Sequence, residues 1–148
     1  MDFELQAPTS LAWIGGHPWA YPALETVHLV GVALLVGNLV ALELRVWGRS
    51  PELPVTALAR LSLTLALGGF ALAALSGGLM FASQPGDLIA NRAFTLKMGL
   101  LLVAGTNAAL FHARDGLRRL DALARAQTLM SVGLWIAVMI CGRWIAYR

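Results

Sequence analysis

The stretch Leu24–Trp47, LETVHLVGVALLVGNLVALELRVW, constrains this chain more than any other. A helix crosses a bilayer with about 20 mostly apolar residues, each rising about 1.5 Å, and this run is long enough. Yet it carries Glu25, His28, Asn38, Glu43 and Arg45. Hydrocarbon solvates none of these groups, so they are expected to turn towards protein, cofactor or water. With His28 at zero and about 100° per residue, Glu25 and Glu43 fall near about 60°, and Asn38 and Arg45 near about −80° to −100°. One side of the helix is therefore polar and the other apolar.

The rest of the chain asks for the same environment. It is 58% hydrophobic and only 13% charged, with a mean hydropathy of +0.70. Soluble domains run about 25% charged, and a chain this short has no interior large enough for the excess. The expected fold is an all-α integral membrane protein, an antiparallel four-helix transmembrane bundle. Its spans are expected at about 23–47, 54–82, 92–112 and 123–146. Pro22 opens the first span, and Gly48 and Pro51 close it. Trp13, Trp19 and Tyr21 before it, and Trp144 and Tyr147 after the last, suit interfacial belts. The N-terminus has no basic region leading into a short apolar one, so no cleaved signal peptide is expected. The single cysteine, Cys141, excludes an intramolecular disulfide.

Four spans put both ends of the chain on one side. Arg45, Arg49, Arg60, Arg114, Arg118, Arg119 and Arg125 flank the first and third connections. Arg92, Lys97, Arg143 and Arg148 lie towards the other side, and they are fewer. The positive-inside rule then places those two connections in the cytoplasm, with both termini outside. The basic balance reads as topology; nucleic-acid binding has no support beyond charge.

Spans one and three run in the same direction. The shift that carries His28 onto Lys97 also carries Asn38 onto Asn107, Glu43 onto His112 and Arg45 onto Arg114. This suggests a duplicated helical hairpin, or two helices shaped by the same layering. It also puts polar groups at three depths. Glu25, His28 and Lys97 share the outer layer with Arg143, Asn38 and Asn107 lie near the middle, and Glu43, Arg45, His112 and Arg114 sit at the cytoplasmic edge. The two asparagines are expected to bond each other or a neighbouring backbone. His28 and His112 lie roughly 20–25 Å apart along the membrane normal, so one metal cannot bind both within a monomer.

His28 is the leading candidate for chemistry. Imidazole is the commonest metal ligand, and a histidine inside a span is functional by default. Its bland alternative is a hydrogen bond to a neighbouring helix. Haem b needs an axial ligand, an apolar slot, close-approach glycines and cations for its propionates. His28, the Gly69/Ala73/Gly77 ridge of span two, and Lys97 or Arg143 supply those types in one layer. The ridge alone reads first as helix packing. Glu25 and His28 form a single E-x-x-H pair. A di-iron bundle needs two such pairs, so Glu25 is assigned to ion-pairing Lys97 or orienting His28. His112 is either an ion-paired interfacial histidine or a second haem ligand, and His17 lies in the outer segment with no expected role. Met80, Met98, Met139 and Cys141, all towards the outer side, make copper the alternative metal, since soft sulfur ligands with an imidazole suit Cu(I).

WAYPALETVHLVGVALLVGN, LRVWG and FTLKMGLLLVAGTNAALFH resemble an uncharacterised bacterial family of four-span inner-membrane proteins of similar length. Pro22, Glu25, His28, Gly31, Arg45, Phe94, Lys97, Asn107 and His112 carry the resemblance. It implies the four-span fold and brings no activity. More distantly the chain is similar to b-type cytochrome and copper-resistance four-helix membrane domains. Cytochromes of that kind usually show paired histidines at each level, and this chain has one per level. The expectations are therefore a b-type haem protein in electron transfer, a non-catalytic accessory subunit of a homo-oligomer or larger membrane complex, or a copper-handling protein.

Overall fold

The computed structural model describes residues 6–8 and 10–147. Residues 1–5 of the opening segment, Thr9, and Arg148 of the charge count lie outside the described residues. In chain order the helices are α1 (Ala12–Gly16), α2 (Ala20–Val46), α3 (Val55–Ser83), α4 (Pro85–Ala90), α5 (Arg92–Ala113), α6 (Gly116–Arg119) and α7 (Ala122–Ile145). The expected all-α four-helix membrane bundle is the observed fold. α2, α3, α5 and α7, of 27, 29, 22 and 24 residues, are each long and apolar enough to cross a bilayer. Leu67, Leu75 and Leu102 on their outer surfaces are 69%, 71% and 75% exposed, an arrangement that suits lipid contact.

Local chemistry sets the helix ends. Pro22 sits in the first turn of α2, where its missing N–H costs nothing. At the other end Gly48 adopts φ +88°, which lets Arg49 N–H donate to Leu44 O and Gly48 N–H to Arg45 O, both at 3.0 Å. This is a complete Schellman stop. The Arg45 guanidinium then folds over the connection to α3, donating to Leu53 O at 2.8 Å and Pro51 O at 3.3 Å. Asn91 caps α5 by accepting from Ala93 N–H, and Asp121 caps α7 by accepting from Ala124 N–H.

Two hairpins build the bundle. α2 packs along α3, α5 packs along α7, and α7 meets α2 to join the pairs. In lipid no hydrophobic force draws helices together, so close packing and polar bonds must do it. The α2–α3 seam relies on close packing. A Cβ placed on Gly31 would lie 2.7 Å from Gly69 O and Ala73 N, and one on Gly69 would lie 2.6 Å from Gly31 O. The two backbones touch because neither residue has a side chain. The bundle is sealed near the α2–α3 and α5–α7 connections, where Val46, Phe111 and Ala124 form a buried cluster flanked by Leu117 and Leu120. At the opposite end Phe81 of α3 stacks on Phe94 of α5, with centroids 5.5 Å apart.

The co-directional helices α2 and α5 are not one of the closely packed pairs. The asparagines consequently do not bond each other. Asn38 donates to Leu34 O of its own helix at 2.7 Å, while Asn107 donates to Gln127 O of α7 at 2.9 Å. Of the two expected partners, backbone carbonyls take both side chains.

Candidate functional site

His28 sits where α2 crosses the small-residue face of α3. Its Nδ1 lies 2.8 Å from Ala73 O and 3.3 Å from the Ser76 hydroxyl. The Ser76 hydroxyl itself donates to Leu72 O at 2.7 Å. A carbonyl oxygen can only accept, so Nδ1 carries the proton. In the neutral ring Nε2 is left with its lone pair free. Gly77 makes the room, since a Cβ there would come within 3.2 Å of the His28 Cε1. The ring is half-buried and held from two directions.

The other helices bring their own groups to this layer. Lys97 of α5 is half-buried, with its Nζ 3.4 Å from the position a Cβ on Gly142 would take. It lies beside the part of α7 that carries the buried Cys141. Among the described residues Lys97 has no ion-pair partner; the ion pair that is present joins Arg114 to Asp121 at 3.1 Å. Glu25 is exposed on α2 and bonds neither Lys97 nor His28. The orienting role assigned to it falls to Ala73 and Ser76.

The remaining sequence candidates disperse. Gly69 is filled by the Gly31 backbone and Gly77 by the His28 ring, so α2 occupies the ridge from within the same chain. Arg143 is exposed and turns to Tyr147, donating to its hydroxyl at 2.7 Å with the guanidinium carbon 4.9 Å from the ring centre. Met98 and Met139 are exposed, while Cys141 is buried. Among the described residues no three His, Cys, Asp or Glu side chains gather as a metal site. His17 accepts from Trp19 N–H at 3.2 Å between α1 and α2. His112 is exposed at the far layer, with Nδ1 2.9 Å from Ala108 O and its ring edge-on to Phe111.

That far layer is richer than the sequence suggests. Arg114 donates to Gln127 Oε1 at 3.0 Å and to Asp121 Oδ2 at 3.1 Å. Trp47 donates to Thr128 Oγ1 at 3.0 Å, bonding α7 to the end of α2. Glu43 is buried beside Ser131 and bounds a cavity of about 50 Å³. Sequence reasoning misses Gln127, Thr128 and Ser131, although they share one face of α7 at helical spacing. Ser76 is visible beside the glycine ridge but gives no sign that it meets an imidazole.

These features define a small four-span membrane protein with an oriented histidine at one level and a polar, partly hollow layer at the other. No protein-family model, curated protein or solved structure matches the chain.

Proposed function

We propose that the protein is a small b-type haem subunit of membrane electron transfer, with His28 Nε2 as axial ligand. The observation that carries this is the Nδ1–Ala73 bond at 2.8 Å. Ligating histidines commonly give their other N–H to a carbonyl, which fixes the tautomer and makes the free nitrogen more basic. Lys97, which has no ion-pair partner among the described residues, would meet a propionate. Two hollows among the described residues, the 50 Å³ space by Glu43 and a groove between α5 and α7, are both lined by residues other than His28. A porphyrin would therefore seat against the outer face of the α2–α3 pair and a second subunit, in a homo-oligomer or larger complex. The partner would supply the sixth ligand, and His112 takes no part. The arginine distribution supports an orientation with the connections at Arg49 and Arg118 in the cytoplasm.

The test is the absorption spectrum of detergent-purified full-length protein from haem-replete cells. A Soret band should be present and should vanish in His28→Ala while the helical circular dichroism persists. A colourless wild type, or a band indifferent to His28, overturns the proposal. Copper retained through Met80, Met98 and Cys141 would replace haem with the copper reading. An accessory-subunit reading has its own support, because Trp47–Thr128 and Asn107–Gln127 join helices and need no ligand. Under it, His28→Ala lowers only the melting temperature of a colourless protein.

A further inference from the structure

The cavity at the connection end of the bundle is walled by all four long helices. Glu43 comes from α2, Leu63 from α3, His112 from α5, and Gln127, Thr128 and Ser131 from α7. Glu43 is only 8% exposed, and its Oε2 is buried with no hydrogen-bond partner. A carboxylate shut away from water must find a cation, a proton or a polar partner.

Among the described residues no cation reaches it. On its own helix, Arg45 is committed to Leu53 O and Pro51 O. On α5, Arg114 is engaged by Gln127 and Asp121. α3 presents Leu63, and α7 presents the neutral Gln127, Thr128 and Ser131. His112 is the remaining titratable group on the wall. Its Nδ1 faces Ala108 O, so Nε2 is free, and the residue is exposed at its outer side. The space of about 50 Å³ exceeds the roughly 10–15 Å³ that one buried water requires, and it has the polar partners such a water needs.

We propose that this cavity is a proton-binding site, with Glu43 Oε2 as the acceptor and a cavity water joining it to His112 at the surface. A proton passes from bulk water to His112 Nε2 and on to the cavity water. That water gives its own proton to Oε2, so no charge is left on it. The Glu43 side chain is then a neutral acid, and release retraces the path. The proposal is independent of the haem reading.

The full-length protein in nanodiscs tests it. Dicyclohexylcarbodiimide, which attacks protonated carboxyls in apolar surroundings, should form an adduct located by mass spectrometry on Glu43, faster as the pH falls. A pH-jump infrared difference spectrum should show a carboxylic-acid carbonyl band that disappears in Glu43→Gln. His112→Leu should keep the band but slow its response several-fold. Absence of both adduct and band in the wild type overturns the proposal without relying on any variant. Suppression of the adduct by sodium at fixed pH also overturns it, in favour of a metal-cation site. An unchanged rate in His112→Leu removes the route through that residue.

Discussion

Replacing Gly31 with alanine should separate the α2–α3 seam, and the structure sets the scale. The new Cβ would lie 2.7 Å from Gly69 O and Ala73 N, whereas ordinary contact begins at 3.4 Å. Both obstacles are backbone, so relief requires the helices to part by about 0.7 Å, the difference of those distances. His28 lies one turn away on the same face, and its 2.8 Å bond to Ala73 O would stretch to about 3.5 Å, past hydrogen-bonding range. Overpacking costs about 1–3 kcal/mol, and a side-chain bond in a membrane contributes about 0.6 and at most about 1.7 kcal/mol. Offset by about 1 kcal/mol of helix propensity, Gly31→Ala should therefore destabilise by roughly 1–3 kcal/mol. At Gly37 and Gly68 an added Cβ would have nothing within 4 Å, so alanine there should be neutral or stabilising by up to about 1 kcal/mol through helix propensity. Unfolding of dodecyl-maltoside-solubilised protein by added SDS, followed by circular dichroism, measures all three. If Gly31→Ala unfolds at the same SDS fraction as Gly37→Ala, backbone contact at this crossing does not hold the hairpin together.

Two further outcomes come from the connection end. Trp47→Phe keeps much of the ring's apolar area but deletes the bond to Thr128, so it should cost about 0.6 kcal/mol and no more than about 1.7 in the same titration. Asp121 accepts from Ala124 N–H and then from Arg114, and these contacts hold its carboxyl below the usual carboxylate range. A carboxyl lowered by folding stabilises the protein above its unfolded value, and the benefit is lost as pH falls through the folded value. The wild type should thus lose thermal stability below about pH 4, while Asp121→Asn, which keeps a capping oxygen, should show a shallower acid limb.

The architecture was legible because its cause is one-dimensional. Apolar runs of spanning length, broken by Gly48, Pro51, Pro85 and Asn91, leave few alternatives to four crossings. Which helices would touch was not written that way. The match of His28 with Lys97 and of Asn38 with Asn107 draws attention to α2 and α5, but the intimate neighbour of α2 is α3. Gly31, lost among the valines and leucines of α2, decides that pairing together with Gly69. The mutual partnership of the asparagines fails for the same reason, and each bonds a backbone carbonyl instead. His28 could be singled out by type, whereas the Ala73 carbonyl that orients it depends on helix rotation and has no side-chain signature. Glu43 is visible as a charge at the edge, but its isolation follows from Arg45 and Arg114 turning elsewhere, which depends on packing in three dimensions.

The division into an α2–α3 unit and an α5–α7 unit has a consequence for biogenesis. Because the first unit is held by its own crossing point, it can assemble as soon as it leaves the insertion machinery, before the second has been synthesised. The later unit then needs only lateral docking, through α7 against α2 and through Phe94 of α5 against Phe81. Two polypeptides severed in the Gln84–Pro85 connection and expressed together should therefore find each other in the bilayer and restore the whole.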